Sequence, residues 1–189
     1  MPFAVILPKS LPNLEDFRSC PLFFLAGPIL GADDWQAEMT EILKQMTGGD
    51  CLVVNPSRYP PEHPLYAHRL DGSGDFFDSQ TLWERHYLTA AGEAWPLGCI
   101  LFWLREESRE RPRTDGEPYA RDTRGEIGEW RWRLKMNPQA RVVMGAEPNF
   151  PGLSVIRKIN EDAVPGKLPI LPSMEAVARR AVSLALNPR

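Results

Sequence analysis

Three cysteines and three histidines are all that 189 residues contain of the side chains that most often staple small folds or hold transition metals. Cys20, Cys51 and Cys99 have no metal-like or redox-like spacing, and the last two lie inside apolar runs where small buried thiols are common. That usage argues against a disulfide framework and for a reducing, cytoplasmic setting. His63, His68 and His86 are the only histidines, and the two that share a loop have no third ligand at a recognisable spacing, so no metal is expected. No apolar run approaches the roughly 18 to 20 residues of a membrane span, and no basic region followed by an apolar signal core opens the chain. A soluble protein is expected. Excess charge is lacking too. A net charge of -3 gives no general reason to expect nucleic acid or an anionic membrane as partner.

Familiar nucleotide and hydrolase signatures are also missing. Gly27-Pro28-Ile29-Leu30-Gly31 has neither the G-x-G-x-x-G pattern nor a P-loop lysine, which speaks against a dinucleotide reductase. No serine sits in a G-x-S-x-G elbow. What remains as candidate chemistry is acidic.

The hydrophobic pattern organises these acids. Leu22-Phe23-Phe24-Leu25-Ala26, Cys51-Leu52-Val53-Val54, Gly98 to Leu104 and Ala140 to Gly145 are short continuous apolar runs, as expected of strands covered on both faces. A fifth strand around Leu168 to Leu171 carries Pro169 and is expected at an edge. Between the strands, Trp35, Met39, Ile42, Leu43 and Met46 recur with helical spacing after Asp33-Asp34, and Gly48-Gly49 ends that helix. Further helices are expected from Ser79 to near Gly92, from Thr123 to Asn137, near Ser154 to Asn160, and after Ser173. Alternation of strands and helices predicts an α/β, Rossmann-like three-layer fold with a five-stranded, mostly parallel sheet. A single domain over residues 1–189 is expected. Residues 1–20 read as a Pro-punctuated arm within which Phe3 to Leu7 are a candidate short edge strand, and 105–121 as a charged loop.

Ligands of such sheets bind beyond the carboxyl ends of the strands. Gly27-Pro28, Asn55-Pro56, the loop leading to Glu126, and Glu147 to Asn149 fall on that rim. The stretch Asp122-Thr123-Arg124-Gly125-Glu126-Ile127-Gly128-Glu129-Trp130 admits two readings. Thr123 as N-cap with Glu126 three residues later is a capping box; the same carboxylate held at a pocket is a nucleophile. A first-turn position favours the ionised form through the helix dipole, whereas Asp122 and Glu129 beside it act in the opposite direction. Glu84 and Asp75 are candidate proton donors or substrate contacts, or members of solvated surfaces. Arg121 and Arg124 are candidate phosphate contacts, or solvated charges. Trp35, Trp83 and Trp130 stack on a base or belong to the core.

Taken together and in order, five segments resemble the nucleoside 2-deoxyribosyltransferase family over residues 21–152. They are Phe23 to Ile29, Gln80-Thr81-Leu82-Trp83-Glu84, Ile100 to Leu104, Thr123 to Trp130, and Val142 to Glu147. The resemblance implies a flavodoxin-like sheet and Glu126 of Glu126-Ile127-Gly128 as the nucleophile that attacks the anomeric carbon of a nucleoside or nucleotide. A second base, or water, then takes the (deoxy)ribosyl group. It implies no cofactor and a homo-oligomer, with Asn149 near the shared boundary. Gly27, Pro28, Trp35, Asp75, Trp83, Asp122, Arg124, Glu129 and Asn149 are the substrate-binding candidates, with Glu84, or His86 in another alignment, as the second acid. The family's first-strand tyrosine is replaced by phenylalanine at both Phe23 and Phe24. An NAD-type glycohydrolase and a catalytically silent nucleotide-binding module are the rival expectations.

Overall fold

The computed structural model describes residues 3–70, 72 and 76–187. Two strands with every residue buried lie at its centre, β2 (Leu22–Ala26) and β4 (Gly98–Leu104), paired in parallel from Leu22↔Gly98 to Ala26↔Phe102. Outside β2 lies β3 (Leu52–Val54), and outside β4 come β5 (Val142–Ala146) and β6 (Ile170–Leu171). The expected five strands are joined by a sixth. β1 (Ala4–Ile6) pairs in parallel with β3, so the sheet is all-parallel in the order β1-β3-β2-β4-β5-β6. Part of the stretch expected to be an arm is therefore sheet. It is the short edge strand anticipated within Phe3 to Leu7; all three of its residues are buried, and the Val5 carbonyl accepts from the Leu70 N–H at 2.9 Å.

Alternate strand residues face opposite sides. Phe23, Leu25, Val53, Leu101 and Trp103 pack with α1 (Trp35–Met46) and α5 (Met174–Leu186). On the other side, Phe24, Ala26, Val54, Ile100, Phe102 and Met144 pack with α2 (Gln80–Thr89), α3 (Arg121–Met136) and α4 (Leu153–Ala163). The three layers follow from these runs, because a strand apolar at every position needs cover on both faces. Asp34 and Ser79 cap α1 and α2, accepting from the N–H groups of Ala37 and Leu82. Met46, expected on the inner face of α1, is 36% exposed in the last residue of the helix.

The start of α3 corrects the capping reading. Ala120, in the left-handed region at φ 56°, precedes Arg121 as the first helical residue, and no side chain caps the end. Its carbonyl accepts from the Arg124 N–H at 3.0 Å. Thr123 is thus a buried first-turn residue and Glu126 lies beyond that turn, where the helix dipole has largely faded. After β2 the chain steps outward to β3 and then returns past β2 to β4. That reversal is the kind of switch point at which parallel sheets open a crevice. Among the described residues no helix is long and apolar enough to cross a membrane.

Candidate active site

A cavity of about 490 Å3 opens at this switch point, within the range of about 300–1,000 Å3 usual for small-molecule sites. Its floor is the end of β2 and the following turn, Phe24 to Leu30, which is largely apolar. Gly27 makes the turn possible. A Cβ there would lie 2.3 Å from the Trp103 carbonyl oxygen and 2.7 Å from the Trp35 ring. Beneath the turn, the Trp35 indole N–H donates to the Pro28 carbonyl at 2.8 Å.

Two helices deliver carboxylates to the cavity wall, Glu84 from α2 and Asp122 and Glu126 from α3. The helical period explains the third. With Ile127, Trp130 and Leu134 turned into the core, Glu126 sits at the edge of the buried face and is half-buried. It accepts no hydrogen bond among the described residues and so does not reach back to the Thr123 N–H. Desolvation, followed by the charges of Glu84, Asp122 and Glu129, pushes its pKa up to about 8. The balance between helix dipole and neighbouring carboxylates, open in the sequence, falls on the side of desolvation and repulsion. Glu84 is raised as well, chiefly by burial and further by Asp122, while a hydrogen bond from Gln80 and the Arg58 charge act in the opposite direction.

Several expected residues thus meet: Gly27, Pro28, Glu84, Asp122 and Glu126 all line the cavity, and Arg121 joins them. Others stand elsewhere. Trp35 supports the turn from below; Trp83 is fully buried and donates its indole N–H to the Ser10 carbonyl at 3.0 Å. Arg124 lies 5.1 Å over the Phe150 ring and donates to the Pro151 carbonyl. Glu129 pairs with Arg133 at 3.0 Å and with Arg85 at 3.4 Å. Asn149 bonds the Glu106 carboxylate through its backbone N–H and its side-chain amide. Asp75 lies outside the described residues. His86 packs against Phe77 and Tyr87, leaving Glu84 as the α2 acid that lines the cavity.

Among the polar lining residues, Arg58, Gln80 and Arg113 are not marked as site members by the sequence. The spacing of Gln80 to Glu84 at i, i+4 is the available signal for one of them. Arg113 is already engaged, donating to Asp115 at 2.6 Å through Nε and to the Pro118 carbonyl. Of the two candidate phenylalanines, Phe24 lines the cavity and Phe23 faces the α1–α5 side. Phe24→Tyr would place a hydroxyl donor on the wall that Glu126 shares. The Glu126 carboxyl should then titrate lower by about one pH unit, measurable by carbon-detected NMR; an unchanged midpoint would show that the new hydroxyl does not reach it.

No family model matches the chain, and no curated protein matches it.

Proposed function

We propose that the protein cleaves the N-glycosidic bond of a nucleoside or nucleotide through a covalent glycosyl-enzyme on Glu126, and passes the (deoxy)ribosyl group to another base or to water. The observation that carries this reading is the meeting of Glu126 and Glu84, from different helices, in one nucleoside-sized cavity at the sheet's switch point. The ordered resemblance of residues 21–152 to nucleoside 2-deoxyribosyltransferases supports it.

The chemistry needs one proton and one negative charge. Two carboxyls that repel each other in a desolvated cavity lose their protons in separate steps, which leaves a state with one neutral and one charged. As the glycosidic C–N bond breaks, its electron pair leaves with the base nitrogen, which takes the proton from Glu84. The ionised Glu126 stabilises positive charge on the sugar and bonds to the anomeric carbon. In the second half, a base nitrogen or water attacks that carbon, the Glu126 ester bond breaks, and Glu84 accepts the incoming nucleophile's proton. Phe24 to Leu30 supply the apolar surface against which a base or sugar packs.

The same reading carries a homo-oligomer, with Trp132 and Met136, 60% and 65% exposed and one turn apart on α3, as an apolar surface at hand. A silent nucleotide-binding module is the second reading. It is favoured by the preference of Glu126 for its neutral form and by the missing hydroxyl at Phe24. Incubation with nucleosides, nucleotides and NAD, with and without acceptor bases, followed by chromatography, separates the two. Free base or exchanged nucleoside is expected from the wild type, and roughly 10^3-fold less from Glu126→Ala. Ligand binding without product would favour the module, and product undiminished in Glu126→Ala would remove Glu126 from the chemistry.

A further inference from the structure

A chain of hydrogen bonds on the cavity wall has no part in the chemistry above. Arg58 donates from Nε to Gln80 Oε1 at 3.0 Å, and Gln80 donates from Nε2 to the Pro56 carbonyl at 3.0 Å and to Glu84 Oε1 at 2.8 Å. A carbonyl oxygen only accepts, so the Pro56 contact fixes which end of the Gln80 amide faces Glu84. It is the N–H end. A donor of that kind favours a carboxylate over a carboxylic acid. Glu126, by contrast, has no hydrogen-bond donor among the described residues.

We propose that Gln80, held by Arg58 and Pro56, is a positioning residue that keeps Glu84 ionised in the free protein and leaves the pair's single proton on Glu126. This rests on the reading of Glu84 and Glu126 as the reacting pair. Its consequence is an order of events. Substrate binds while Glu126 is neutral, Glu84 then takes the proton from Glu126, and the same proton goes on to the departing base as Glu126 bonds to the sugar. One proton is moved twice, and no outside acid is needed.

The charges around the pair come from every packed element. Arg58 precedes α2; Asp122 and Glu129 lie on α3 with Glu126; Arg121 opens α3; Arg113 reaches in from the loop after β4. Arg121 is compensated by Glu117 at 2.7 Å and by Asp122 at 3.1 Å, and Arg113 by Asp115 at 2.6 Å. Arg58 has no carboxylate partner among the described residues, and its Nε contact makes Gln80 its link to Glu84.

The test reads ionisation in the free protein, so it is independent of any substrate. With carbon-13 in the glutamate carboxyls, the wild type should show Glu84 losing its proton first and Glu126 last. In Gln80→Met, similar in size but unable to donate, the Glu84 midpoint should rise by about one pH unit and that of Glu126 should fall. Arg58→Met, an exposed change that leaves Gln80 in place, should move both the same way by less. If turnover is found, the acid limb of kcat/KM should move up with Glu84 in Gln80→Met, an effect that looser packing alone would not produce. Unchanged midpoints in both variants, or Glu84 as the later titrating group in the wild type, would overturn the proposal. Absence of turnover in the wild type would instead count against the proposed function, while the midpoints would still decide the role of Gln80.

Discussion

Replacing Glu126 with glutamine is expected to abolish turnover and, at the same time, to make the protein more stable at alkaline pH. The first effect follows from removal of the attacking oxygen and should be roughly 10^3-fold or more in kcat. The second follows from linkage. Below the unfolded-state pKa of about 4.5 the carboxyl is neutral whether the chain is folded or not, so wild type and variant should be equally stable. Between about 4.5 and 8 the folded protein holds a proton that the unfolded chain has lost, and wild-type stability falls as pH rises. Above 8 the loss is complete, because the charge is then forced into the cavity. The full shift corresponds to roughly 4–5 kcal/mol at about 1.4 kcal/mol per pH unit. Water in an open cavity lowers this, and about 1–3 kcal/mol is expected. Urea denaturation at pH 4.5 and pH 9 measures it. A stability difference that does not grow with pH would show that Glu126 is not desolvated. The wild-type rate should show the matching profile, with an alkaline limb near pH 8 where the pair loses its last proton.

The second large effect concerns the turn under the substrate. Gly27→Ala puts a methyl group 2.3 Å from the Trp103 carbonyl oxygen and 2.7 Å from the Trp35 ring, at a backbone φ of 155°. Neither neighbour yields readily, since one is backbone in the central strand β4 and the other is a fully buried indole tied to Pro28. Overpacking of this kind costs about 3 kcal/mol, which for a chain of this size lowers Tm by roughly 6–12 °C. Gly125→Ala is the control. A Cβ there meets nothing within 4 Å, and the residue lies inside α3 next to Glu126. Alanine should stabilise the helix by about 0.5–1 kcal/mol. Calorimetry on both variants should therefore give shifts of opposite sign; a neutral Gly27→Ala would mean that the turn relaxes without loss.

The sheet was legible because its central strands are apolar at every position, a pattern that only two-sided cover explains. The apolar run at Phe3 to Leu7 marked a short edge strand, which Ala4–Ile6 forms, but nothing in three residues announces a partner as remote as Leu52–Val54. The beginning of α3 was misleading for a different reason. Thr123 and Glu126 have the spacing of a capping box, but the chain enters the helix through a left-handed alanine, and alanine carries no signature for that conformation. The rim position of Glu126 and Gly27-Pro28 followed from topology. The ionisation of Glu126 did not, because its sign depends on burial and on a carboxylate from another helix. The i, i+4 spacing of Gln80 and Glu84 was visible, whereas the bond from Arg58 on the preceding loop to Gln80 has no linear pattern.

A covalent bond between a sugar and Glu126 is directly visible to mass spectrometry. The protein would be mixed with 2'-deoxy-2'-fluoro nucleosides and nucleotides, whose electron-withdrawing fluorine slows release of the sugar from the carboxylate, then digested and mapped. A pentosyl mass increase is expected on the peptide that contains Glu126, and none in Glu126→Gln. Turnover of natural nucleosides with an adduct on Glu84, or with none on Glu126, would contradict the role of Glu126 as nucleophile.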